Sequence, residues 1–119
     1  MSRQREWALA AKEAVDDEAK QPKSSQGKFR THALRLPTLI KQAGLAQALK
    51  FIETREGREG KALIDALAKA LKKSSGKGLI DDVLRAPMAS YMAISRDALV
   101  ASVWFRRFAQ SELKSESES

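Results

Sequence analysis

Apolar residues recur three and four positions apart along most of this sequence, and nowhere does a run of β-branched residues alternate at period two. Ala, Leu, Lys, Arg, Glu and Gln dominate between these positions, and all are good helix formers. The fold class expected is therefore all-α: one compact bundle of six or seven helices over residues 1–113, with a long C-terminal helix at its centre. A length of 119 residues suits one domain. The end, KSESES (114–119), is charged and low in complexity and reads as a disordered tail.

The helix boundaries follow from caps and breakers. The first helix runs from Ser2, a candidate cap, to about Lys20, with Trp7, Ala11, Ala14 and Val15 on one face. QPKSSQG (Gln21–Gly27) reads as a loop, and a second helix is expected from near Gln26 to Leu36. Pro37 predicts a break at Leu36–Pro37, followed by a short helix to Ala43 and a cap at Gly44. Leu45, Ala48, Leu49 and Ile52 mark the next helix, and Glu53–Lys61 reads as an exposed charged loop. Leu63, Ile64, Leu67, Ala70 and Leu71 define another helix, SSGKG (Ser74–Gly78) a turn, and Leu79–Leu84 a short helix stopped by Pro87. The last and longest helix covers about Met88 to Leu113, and Trp7, Trp104, Phe105 and Phe108 are expected in the core.

Several chemistries are excluded or weakened by residue type. There is no cysteine, which removes disulfides, thiolate metal sites and thiol catalysis. His32 is the single histidine and has no carboxylate beside it in sequence to orient it as a base. SSGKG lacks the strand, the earlier glycine and the hydroxyl of a phosphate loop. Asp16–Asp17–Glu18 and Asp81–Asp82 diverge around their helices, and Asp81 and Asp82 fit the start of a helix dipole. Only long-range folding could unite Asp65, Asp81 and Asp97. No catalytic constellation, metal site or cofactor is expected. With no apolar stretch of signal or spanning length, the chain is expected to be cytoplasmic and free of membrane.

The charge distribution points to a polyanion. Of the net +7, residues 20–61 carry ten basic and three acidic side chains, whereas residues 1–19 carry three and five. A field concentrated in this way attracts nucleic acid. The candidate contacts are Lys28, Arg30, Arg35, Lys41 and Lys50, and Lys28, His32 and Arg35 share a helix face. Arg106 and Arg107 form a second tier of candidate contacts, for nucleic acid or for a protein interface.

Two blocks resemble a known family. LRLPTLIKQAGLAQALKFI (Leu34–Ile52) joins a Leu-Pro step to a Gly-Leu-containing apolar helix, and YMAISRDALVASVWFRRFAQSEL (Tyr91–Leu113) contains a Trp-x-Arg-Arg-Phe-Ala core. Together they resemble the small helical subunit of the Cmr complex, the type III-B CRISPR RNA-guided effector. The resemblance implies a non-enzymatic all-α subunit that stacks in several copies beside the backbone nuclease subunit and the large subunit. It further implies that the stack lines the channel holding guide RNA paired with target RNA, contacting phosphates without reading bases. Arg107 falls on the family's Trp-x-x-Arg-Phe position. A freestanding DNA-binding or adaptor protein is the alternative, although the helix after Gly44 is too apolar for a recognition helix. A small enzyme is the third reading, disfavoured by the missing constellation.

Overall fold

The structure, a computed structural model, describes residues 2–116. Among them are six helices and no strand: α1 (Arg3–Glu18), α2 (Lys23–Ala43), α3 (Leu45–Glu53), α4 (Glu59–Ala70), α5 (Gly76–Arg85) and α6 (Met88–Glu112). Ser2 caps α1, its hydroxyl accepting from the Arg5 N–H at 3.2 Å. Gly44 separates α2 from α3 at φ +86°, a left-handed conformation that glycine adopts without steric cost. Between α5 and α6, Ala86 and Pro87 make the break, with Pro87 at the cap position of α6.

The predicted break at Leu36–Pro37 does not occur: α2 runs unbroken through Pro37. A proline inside a helix removes one backbone bond and crowds the preceding turn, at a cost of about 3 kcal/mol. Tertiary contacts offset that cost here. Ala33, Leu36, Pro37 and Ile40 are all buried, so both sides of the proline are held against the core. The Arg106 guanidinium donates to the Leu34 carbonyl, one turn before the proline, from α6.

Three loops are shorter than expected. α2 begins at Lys23, so the first linker shrinks to a few residues around Pro22. α4 begins at Glu59, and Gly60 in its first turn lies so close to the Ile52 carbonyl that a side chain would collide with backbone. α5 begins at Gly76, capped twice: Ser75 accepts from the Gly78 N–H at 2.9 Å, and Asp65 of α4 accepts from the Gly76 N–H at 2.7 Å. Asp81 and Asp82 consequently stand mid-helix rather than at its start, paired with Arg85 at 3.0 Å and Lys73 at 3.2 Å.

The core is built from Phe29 and Leu36 of α2, Leu49 and Ile52 of α3, Leu63 and Leu67 of α4, and Phe105 of α6. α6 is the longest helix, and α1 and α2 pack along it, while α4 touches all five others. Ala98, Ala101, Ser102 and Ala109 let the second half of α6 come close to its neighbours. Trp7 and Phe105 lie in the core as expected, but Trp104 and Phe108 do not. They are half-buried at its edge, stacked with ring centroids 6.0 Å apart, because Phe105 takes the inward position next to Trp104. Of the tail read as disordered, Lys114–Glu116 lie against α2 (described below), and residues 117–119 fall outside the described residues.

Candidate nucleic-acid interface

Helix α2 carries the basic residues, and its 100° step distributes them over two edges. Lys28, His32 and Arg35 lie along one edge. Against it stands the end of α3, where the Phe51 ring has Arg35 at 5.8 Å and Arg55 at 4.1 Å from its centroid. The Arg55 Nε also donates to the Phe51 carbonyl at 3.1 Å, which fixes its guanidinium. A guanidinium held by an aromatic ring and a carbonyl loses little further freedom on meeting a phosphate. Neither Phe51 nor Arg55 is among the residues that sequence reasoning singles out. The available signal is their four-residue spacing at the end of the helix expected from Leu45 to about Arg55, where the charged stretch Glu53–Lys61 also reads as a loop.

His32 sits in this edge, half-buried, with its Nδ1 unpartnered among the described residues. Burial, then the positive charges of Arg35 and Arg55, hold its pKa below the usual 6.5, against opposing pulls from Glu59 and Glu116. It is therefore neutral near pH 7. Neither carboxylate hydrogen-bonds it among the described residues, so the geometry assembles no base–orienter pair.

The other edge of α2 carries Arg30 and Lys41, eleven residues apart and so on the same side. Lys41 and Arg107 of α6 line one shallow depression together with Leu99, Val103 and Trp104. The Arg107 guanidinium lies 5.4 Å from the Trp104 ring. Sequence reasoning puts Lys41 and Arg107 in separate tiers, and the pairing of α2 with α6 unites them. Lys28, Arg35, Arg55, Lys41 and Arg107 form no ion pair among the described residues, in contrast to Arg3, Lys12, Arg58 and Arg85.

Two of the sequence candidates stand apart. Lys50 points to a third surface, 3.5 Å from Glu53 and near Lys77 of α5. Arg106 is committed to the Leu34 carbonyl beside Pro37. Arg58, counted in the basic excess, is also spent: it donates to both carboxylate oxygens of Glu18 at 2.6 and 3.1 Å and to Ser25 at 2.9 Å. Glu18 raises the Arg58 pKa. Beside it, burial pushes Glu59 up, but the Ser25 hydroxyl, its own backbone N–H, Lys28 and Arg58 together hold it below the usual carboxylate range.

The acidic residues do not converge. Asp65 caps α5, Asp81 pairs with Arg85, and Asp97 pairs with Arg3. Among the described residues no group of three or more His, Cys, Asp or Glu could hold a metal ion. No helix among them is long and apolar enough to cross a membrane.

An all-helical chain of this size with cations along both edges of α2 finds its counterpart among CRISPR-associated proteins. Residues 3–112 match the family described as CRISPR-associated protein (Cas_Cmr5). The sequence is 38% identical over 110 residues to the CRISPR system Cmr subunit Cmr5 of Thermus thermophilus, covering 92% of this chain and 95% of that protein. The fold is similar to the X-ray crystal structure of a CRISPR-associated Cmr5 family protein from the same organism. The TM-score is 0.91 at 37% identity, over 96% of this chain and 99% of that one. The chain belongs to the Cmr5 family.

Proposed function

We propose that the chain is the non-catalytic small subunit of a type III-B CRISPR effector, stacking in several copies along the channel that holds guide RNA paired with target RNA. The observation that carries this reading is the pair of basic edges on α2 whose cations form no ion pair among the described residues, Lys28–Arg35 with Arg55 and Lys41 with Arg107. Cations flanked by aromatic rings and lacking a built pocket for a base suit the backbone of an RNA duplex, whose deep major groove side chains do not read. Family membership supports the Cmr context; the partners in this reading are the backbone nuclease subunit, the large subunit and further copies of the chain, in the cytoplasm. An exposed apolar stretch supports the reading of protein partners. Residues 86–95 form ten consecutive uncharged positions in a chain that is 31% charged, and Leu84, Met88 and Met92 beside or within them are exposed.

Reversing charge on both edges, with Arg35→Glu and Lys41→Glu together, is expected to weaken target-RNA binding by the assembled complex about 10- to 100-fold at moderate salt. The loss should be the same for unrelated target sequences paired with their own guides, and the salt dependence should become shallower. Unchanged binding in a complex that still incorporates the variant would sink the assignment of these edges.

The subunit itself is expected to cleave neither RNA nor DNA, with or without divalent metal. Phosphodiester cleavage needs a metal clamp or an acid–base pair at the developing charge. Metal-dependent cleavage by the purified chain, abolished by Asp65→Ala, Asp81→Ala and Asp97→Ala together, would instead make it an enzyme.

A further inference from the structure

The end of the described chain doubles back across the basic helix. Leu113 is buried, and the Lys114 N–H donates to the Gln26 Oε1 at 3.2 Å. Gln26 is itself anchored, its Nε2 donating to the Ala19 and Gln21 carbonyls at 3.1 and 2.8 Å. One turn further along α2, the Thr31 hydroxyl donates to the Glu116 carboxylate at 3.2 Å. Between these two points the strap rests directly on backbone: a Cβ built at Gly27 would stand 2.8 Å from both the N and the Cα of Glu116. A glycine inside a helix costs up to about 1 kcal/mol relative to alanine, so Gly27 has a packing reason to be where it is.

The position of Glu116 matters more than its anchoring. Thr31 borders the edge that carries Lys28, His32 and Arg35, Gly27 lies a step further round the helix toward Arg30, and Glu116 is one of the charges acting on His32. A carboxylate thus occupies the rim of a surface whose Lys28 and Arg35 form no ion pair among the described residues. The strap also lies outside residues 3–112, the part of the chain that matches the family.

We propose that the C-terminal strap is an intramolecular phosphate mimic: seated on Gly27, it holds Glu116 at the rim of the Lys28–Arg35 edge and competes there with the RNA backbone. Binding of RNA displaces the strap, and the strap in turn lowers affinity for any stray polyanion that engages only this edge. The inference rests on the reading of that edge as an RNA contact. It adds the regulation of the edge by a segment of the same chain.

Gly27 allows a test that leaves charge untouched. Gly27→Ala adds one methyl group beneath the strap, favours the helix, and displaces Glu116 without changing net charge. Glu116→Gln keeps the strap's shape and removes its charge. Glu13→Gln removes the same charge from the exposed face of α1 and serves as the control. Binding of each full-length chain to a short mixed-sequence RNA duplex is followed by fluorescence anisotropy at low and high salt. Exchange of the Lys114 amide hydrogen reports whether the strap is seated.

Gly27→Ala and Glu116→Gln should each tighten binding about three- to tenfold at low salt, with the gain fading as salt screens the edge. Glu13→Gln should stay within about twofold of the parent. The Lys114 amide should lose protection in Gly27→Ala, and in the parent when RNA is added. A strap freed by Gly27→Ala with no gain in affinity overturns the proposal while leaving the RNA edge intact. So does a strap that stays protected in that variant, or a gain from Glu13→Gln equal to that from Glu116→Gln. If none of the chains binds the duplex, the edge is not an RNA contact and both readings fall.

Discussion

Phe105→Ala is expected to lower the free energy of unfolding by about 3–5 kcal/mol, whereas Trp104→Ala, which removes a larger ring one residue away, should cost only about 1–2 kcal/mol. Phe105 is completely buried on α6, which packs along α1 and α2, so truncation leaves a cavity that rigid helices cannot collapse. Trp104 is half-buried, and solvent reaches the volume it would vacate. Urea unfolding followed by far-ultraviolet circular dichroism measures both, provided the denaturant slope stays unchanged. Equal losses, or a larger loss at Trp104, would mean that α6 is rotated from the orientation described.

Arg58→Ala should cost about 2 kcal/mol, despite removing a side chain that is itself 48% exposed. The cost arises on the partners. The Glu18 and Glu59 side chains are 7% and 8% exposed, and without the guanidinium Glu18 keeps no other ion partner among the described residues. Removing one member of a fully buried pair costs about 3–5 kcal/mol, and water reaching the vacated Arg58 site reduces that figure. A cycle with Glu18→Gln isolates the interaction: the double variant should be less destabilised than the two single effects combined. Strict additivity would show that the bidentate contact contributes nothing to folding.

Arg58 also illustrates what can and cannot be read from residues alone. The helix periodicity is legible, and so are terminators that act locally, such as Ser2, Gly44 and Pro87, because each depends on its own neighbours. Arg58 counts as free charge in an exposed loop because its partner Glu18 is 40 residues away. Pro37 reads as a break because the bond from Arg106 to Leu34 that accompanies its tolerance spans 72 residues. Of the candidate interface, the Lys28–Arg35 edge follows from spacing within one helix. The sharing of one depression by Lys41 and Arg107, and the meeting of Phe51 and Arg55 with that edge, require knowing how α3 and α6 pack against α2.

The polar ties of α1 run almost the whole length of the bundle's sequence. Arg3 pairs with Asp97 and Lys12 with Glu112, and Gln26 at the start of α2 receives Lys114. The first helix of the bundle to leave the ribosome is thus completed by the last. Until α6 has emerged, the sides of α1 and α2 that it covers stay open to water. A helical protein dominated by local contacts can settle as it is synthesised, but this one defers its closing step until its sixth helix is out.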